Sequence, residues 1–130
     1  MGSEWPVERG ADISGQAVEA LRAAVGWDAM WGCYDGILKR SYTHFTVMDK
    51  SRLIGFLNVI SDGIGDAFLV DLMVHPDFRK RKVGKSILMG AIAGLKGEGI
   101  KSVQVVFRPE LEPFFRKCGF STQMKAGVIE

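Results

Sequence analysis

Two cysteines, two histidines and four prolines are all this 130-residue chain holds of the residues that staple, ligate or break. Cys33 and Cys118 fall in different predicted elements, without C-x-x-C spacing. A disulfide framework is therefore disfavoured, and two reduced, structural cysteines are expected. With only His44 and His75 beside them, no metal site is expected. No apolar run reaches the about 18–20 residues of a membrane span, and the acidic, Gly-containing N-terminus does not read as a signal peptide. The expectation is a cytoplasmic protein without a membrane partner. Excess charge is scarce as well: 17 Lys and Arg against 15 Asp and Glu leave +2, too little to argue for nucleic acid. Repeats, linkers and low-complexity segments are missing, as is any G-x-G-x-x-G. The remaining composition, 47% hydrophobic and 25% charged, is that of a globular protein. A single domain over 1–130 is expected, large enough for a core without metals or disulfides.

What the chain does have is VHPDFRKRKVGKSIL, Val74–Leu88. Ala67–Val74 reads as a buried strand broken only by Asp71, and Gly84–Lys96 carries Ile87, Leu88, Ala91, Ile92 and Leu95 at helical spacing. Arg79, Lys80, Arg81 and Lys82 lie between them, and Lys85 follows in the first turn of the helix. A helix start offers unpaired N–H groups and the positive end of the dipole, so added cations make an anion site suited to a phosphate or pyrophosphate. A solvated basic loop and a nucleic-acid patch are the competing readings, and the strand-to-helix context favours the phosphate cradle. Gly84-Lys85-Ser86 lacks the upstream glycine of a Walker loop.

Val74, Pro76, Phe78, Arg79, Val83, Gly84 and Ile87 fall in register on V-x-P-x-Y/F-R-x-x-G-I/V-G-x-x-L/I. This resembles the acetyl-CoA motif of the GNAT superfamily of N-acetyltransferases. Lys82 departs from it, standing where the family usually has its first glycine; a lysine at positive φ costs about 1 kcal/mol. Coenzyme A binding is expected to survive, with the extra charge compensating. PFFRKCGF, Pro113–Phe120, resembles the family's F-Y-x-x-x-G-F. There Glu110–Cys118 reads as a short helix, Gly119 as its cap, and Phe120 as the opening of the last strand. The family often has a tyrosine at the position of Phe115, able to protonate the leaving thiolate; Phe115 has no such proton. AVGWDAM and LIGFLNVISDGIGDAFLVDLMVHP look like a subgroup of small bacterial GNAT proteins similar to plant arylalkylamine (serotonin-type) acetyltransferases.

The remaining elements follow from periodicity. Ser14 caps a helix with Val18, Leu21, Ala24 and Val25 on one face, ended by Gly26. Asp28–Arg40 reads as a second helix, with Met30, Trp31, Tyr34, Ile37 and Leu38 as its apolar side, although Gly32 and Gly36 weaken it. Thr43–Met48 and Arg52–Ile60 form a hairpin, with His44 exposed where it opens. Ser61–Asp66 is a turn, and Ser102–Phe107 is a strand parallel to Ala67–Val74 across the helical crossover. The fold class is α/β (α+β), GNAT-like: a mixed, mostly antiparallel sheet flanked by helices. The resemblance implies a parallel strand pair that splays, with backbone groups of Leu72, Met73 and Val74 meeting the pantetheine arm. It also implies that the phosphates lie against 79–86, with Val83, Gly84 and Ser86 joining the cations.

Asp71 inside an apolar strand either accepts structural bonds, from the backbone or from a lysine or arginine, or serves as general base for an amine that must lose a proton. Asp62 and Asp66 read as turn formers, and His75 as a loop residue with a base role as the lesser alternative. Trp27, Trp31 and Tyr34 read as core or as an acceptor pocket, where with Asp28 and Asp35 they would receive a cationic amine. Ping-pong transfer through Cys33 or Cys118 is disfavoured, since neither has a visible histidine partner. The reading is acetyl transfer from acetyl-CoA, as co-substrate, to a small-molecule amine or a protein amine by direct attack. The alternatives are a coenzyme A-binding or regulatory module without efficient catalysis, and a nucleic-acid-binding domain. A homodimer is left open.

Overall fold

Ser14 opens the first helix as the sequence predicts. In a computed structural model that describes residues 5–130, its Oγ accepts from the Ala17 N–H at 3.1 Å and α1 runs Gly15–Ala24. The apolar face that α1 buries is narrower than expected: Val18 and Leu21 are inside, whereas Ala24 is exposed and Val25 half-buried. The second helix is shorter than its pattern. Gly32 takes φ +82°, the left-handed region that interrupts a right-handed helix, so α2 covers only Tyr34–Arg40. Trp31 consequently falls in the turn and is exposed, while Tyr34 is fully buried and Met30, Ile37 and Leu38 pack at the edge of the core.

Five strands form one sheet in the order β1-β2-β3-β4-β5. β1 (Glu8–Arg9) is a short edge strand without a sequence signal; β2 is Thr43–Asp49, β3 Arg52–Ser61, β4 Asp66–Val74 and β5 Ser102–Val105. Neighbours pair antiparallel except β4 and β5, which pair parallel across the crossover helix α3 (Val83–Gly97). β5 stops at Val105, and Val106 is exposed. The C-terminal helix α4 is Glu112–Lys117, preceded by a 3₁₀ turn at Pro109–Leu111 and closed by Gly119 at φ +104°. No strand follows Phe120 among the described residues, against expectation; the chain from Phe120 on carries no regular element.

Helices cover both faces of the sheet. Val18, Leu21, Tyr34, Leu53, Phe56 and Met73 join α1 and α2 to one face. Ile54, Leu57, Val59, Ala67 and Leu69 meet Ile87, Leu88, Ala91, Leu95 and Phe115 of α3 and α4 on the other. β3 is therefore buried from Leu53 to Val59, which explains its unbroken run LIGFLNV. Gly55 sets how closely α3 lies on β3: a Cβ there would fall 2.7 Å from Ile87 Cδ1 and 2.8 Å from Val83 Cγ1.

Candidate active site

β4 carries the site. Phe56 faces Met73, but Asn58 faces Val70, so Asp71 and Leu72 together oppose Leu57 in a bulge. Asp71 sits in it at φ +57°, a strained conformation for a carboxylate residue inside a strand. The parallel pairing to β5 covers only Asp66–Leu69 against Ser102–Val105. From Val70 to Val74, β4 has no partner on that side, and the two strands part there. Leu72 and Val74 line the α3 side of the opening half-buried, while Met73 points to the opposite core.

Past Val74 the His75 N–H returns to Ile54 O at 2.8 Å, and Pro76–Phe78 makes a 3₁₀ turn. His75 caps that turn, its Nδ1 accepting from the Asp77 N–H at 3.1 Å, so that nitrogen is committed to local structure. Phe78 is buried; Arg79, Lys80, Arg81, Lys82 and Lys85 are exposed, and Gly84 and Ser86 are half-buried. Lys82 begins α3 at φ +67°, the conformation expected of the glycine it replaces, and gives the helix no side-chain cap. The first N–H groups of α3 thus remain available to an anion, with no acidic residue in the first turn to repel it. Gly84 has a further role: a Cβ would lie 3.4 Å from Phe114 Cζ and 3.6 Å from Val74 Cγ2, so it also lets α4 approach α3. Arg81 differs from the other cations, because its guanidinium lies over Phe78 at 4.9 Å and over Trp5 at 5.4 Å.

Asp71 is half-buried and, among the described residues, pairs with no lysine or arginine. Instead the Tyr34 hydroxyl donates to its Oδ2 at 2.9 Å, and Arg22 Nη1 donates to the tyrosine oxygen at 3.0 Å. Burial, then the bond to Asp71, pushes the Tyr34 phenol up to about 12. Tyr34 thus joins the candidate base, while Trp27 and Trp31 stand at the surface, 41% and 66% exposed. Trp27 is linked back to this group through Arg22, whose guanidinium lies 5.2 Å from its ring centre and also donates to Asp28 O. Asp35 accepts from the Gly15 N–H at 3.0 Å, tying α2 to α1. Asp62 accepts from the Ile64 and Gly65 N–H groups, which hold its carboxyl below the usual range; it forms the turn.

Phe115 is sealed in an aromatic cluster, stacked on Phe107 at 4.6 Å and meeting Phe114 and Phe120 edge-on. Of the cysteines, only Cys118 is structural; burial pushes its thiol up, partly offset by Lys85, and Cys33 is exposed. His44 is half-buried, not exposed, with Nε2 2.7 Å from Ala11 O and its ring stacked near Phe56. Among the described residues no group of three His, Cys, Asp or Glu is placed to hold a metal, and no helix is long and apolar enough to cross a membrane.

A bulged strand, a parallel pair that parts, and an uncapped helix start ringed by cations set the frame for comparison with known proteins. A family model described as an acetyltransferase (GNAT) domain matches residues 40–122. The chain belongs to the GNAT family. It is 31% identical over 87 residues to an uncharacterized N-acetyltransferase, ycf52, of Porphyra purpurea, covering 64% of this chain and 50% of that protein. Serotonin N-acetyltransferase 2, chloroplastic, of Oryza sativa subsp. japonica is 26% identical over 92 residues, 65% of this chain and 46% of the relative. The chain thus spans about half the length of the curated relatives it matches. Among solved structures, a probable acetyltransferase of meticillin-resistant Staphylococcus aureus superposes with TM-score 0.80 at 22% identity, covering 96% of this chain and 99% of that one. A GNAT family acetyltransferase of Streptococcus pneumoniae gives 0.78 at 25% identity, with 96% of each covered. These place the mixed sheet with its one parallel pair within the GNAT fold.

The N-terminal segment escaped sequence reasoning. Trp5, Val7 and Arg9 run along α3, where Gly90 and Gly94 leave room for Val7 and Arg9. The Gly-x-x-x-Gly spacing on α3 was the available signal.

Proposed function

We propose that this GNAT chain transfers acetyl from acetyl-CoA to a primary amine by direct attack, with Asp71 as the base. The observation that carries the reading is the bulge that sets Asp71 beside the parting of β4 and β5, on the strand that leads through the basic turn to the uncapped start of α3. Pyrophosphate would rest on the α3 N–H groups and on Arg79, Lys80, Lys82 and Lys85. The arm would follow the open side of Leu72, Met73 and Val74, bringing the thioester to the opening. An alkylammonium, with pKa near about 10, must lose a proton before attack, and the carboxylate takes it directly or through one water. Addition to the thioester carbonyl leaves a surplus proton on the nitrogen, which passes to solvent as the intermediate collapses and the C–S bond breaks; the thiolate, with pKa near about 8.5, leaves to solvent. Tyr34 orients Asp71, and Trp27 with Arg22 borders the approach of the acceptor.

A coenzyme A-binding module with little catalysis is the second reading, favoured by Phe115, which brings no acid to the sulfur. Free-thiol release from acetyl-CoA across a panel of arylalkyl and aliphatic amines separates the two. Asp71→Asn keeps the shape and removes the basicity, so turnover should fall by about 10²-fold or more with acetyl-CoA affinity nearly unchanged. Near-normal turnover in the folded variant would return Asp71 to a purely structural role. A parallel titration with duplex DNA, expected to give no saturable binding, tests the basic turn against a nucleic-acid role.

A further inference from the structure

Arg22 is a half-buried cation with no carboxylate partner among the described residues. Its guanidinium is nonetheless held in place. Nε donates to Asp28 O, Nη1 donates to the Tyr34 hydroxyl at 3.0 Å, and the plane lies 5.2 Å from the ring centre of Trp27. The other N–H groups of the fork, those of Nη2 included, meet no acceptor among the described residues. The neighbouring acids are committed elsewhere. Glu19, one turn before Arg22 on α1, accepts from the Gly32 N–H at 3.0 Å, and Asp35 accepts from the Gly15 N–H at 3.0 Å. A guanidinium drawn partly out of water with donors to spare is matched by a carboxylate, whose oxygens fit the fork.

Asp71 stands on the other side of the same hydroxyl. Tyr34 Oη, 2.9 Å from Asp71 Oδ2 and 3.0 Å from Arg22 Nη1, keeps the two charges within about 6 Å of one another and out of direct contact. A carboxylate and a guanidinium so spaced are the complement of a small zwitterion. The face of Trp27 that would draw a second cation is already covered by Arg22. We propose that the acceptor is a free α-amino acid, its ammonium at Asp71 and its carboxylate on the open Nη2 side of Arg22. The proposal rests on the reading of Asp71 as the base that meets the amine, and it narrows that amine to one with a carboxylate beside it. The transfer balances as before: the ammonium gives one proton to Asp71, the N–C bond forms as the C–S bond breaks, and the second proton and the thiolate pass to solvent. Arg22 binds the acceptor and takes no proton.

Matched acceptors test it on the full chain, with free-thiol release from acetyl-CoA as the readout: phenylalanine against phenylalaninamide and phenethylamine, and leucine against isopentylamine. Compared at equal concentrations of free amine, each amino acid should have a kcat/KM at least about tenfold above its uncharged partners. Arg22→Met should erase that preference by raising KM for the amino acids, Arg22→Lys should keep part of it, and Arg22→Glu should reverse it. Wild type that turns over the decarboxylated amines equally well or better would overturn the proposal and leave Asp71 standing as base. A preference that survives Arg22→Met, with kcat lowered alike for every acceptor, would overturn it too and reduce Arg22 to a support of Tyr34. Calorimetry makes the comparison without a variant: N-acetylphenylalanine should bind wild type more tightly than N-acetylphenethylamine, and equal affinity would overturn the assignment. A wild type that binds coenzyme A and acetylates no amine, with or without a carboxylate, would overturn the acetyl-transfer reading along with this one.

Discussion

Tyr34 stands between two charges, donating to Asp71 and accepting from Arg22. Its phenol ionises near about 10 in the unfolded chain, whereas burial and the Asp71 bond push it up to about 12 in the folded one. The folded state therefore holds the extra proton between those values. Its stabilising contribution is complete below about pH 10 and lost as pH rises through the window, by at most about 1.4 kcal/mol per pH unit for one proton. Urea midpoints of wild type and Tyr34→Phe should converge as pH climbs from about 10 to about 12; a constant gap would contradict the bonding described. Phe115 answers to packing alone. Phe115→Tyr would add a hydroxyl to the cluster of Phe107, Phe114 and Phe120, and a hydroxyl left unpaired there costs about 1–3 kcal/mol. Melting temperature should fall without a gain in turnover; a faster enzyme would mean the hydroxyl reaches the sulfur.

The start of α3 is held by a residue in a conformation it disfavours. Lys82→Gly should raise stability by about 1 kcal/mol by relieving the left-handed φ. It should keep affinity for coenzyme A, which the helix N–H groups and the other cations of the turn still hold; a large loss would show the Lys82 charge to be the main phosphate contact, and a lower melting temperature that the lysine side chain holds the turn. The position was legible beforehand, because the motif called for glycine there and the backbone kept glycine's conformation. Strong periodicity made α1, α3 and the β2–β3 hairpin legible too. The start of α2 was less so: Trp31, Tyr34, Ile37 and Leu38 continue a helical stripe backward, and only the left-handed Gly32 shows where it stops. The strand expected at Phe120 rested on family pattern with little apolar alternation in STQMKAGVIE behind it. β1 is too short to leave any pattern. For the site, the chain announced Asp71 and the basic turn, but the Arg22–Tyr34–Asp71 chain joins residues far apart in sequence, which no spacing reveals.

Both core clusters are built on the same sheet, and β3 contributes to each, with Leu53 and Phe56 on one face and Ile54 and Leu57 on the other. Neither layer can lose its helices without exposing that strand. Far-UV circular dichroism and aromatic near-UV signals should therefore melt in one coincident transition, as for a single domain; separate midpoints would divide the chain into independent units. Trp5, pinned to Ser86 and Arg81, holds the N-terminal segment beside the cations of the turn. A tag or fusion joined to the amino end is tethered within a few residues of those charges, so a polyhistidine one can crowd them and an acidic one compete for them. Fusions at the other end, beyond α4 and Gly119, are the sounder choice for titrations, immobilisation and crystallisation trials alike.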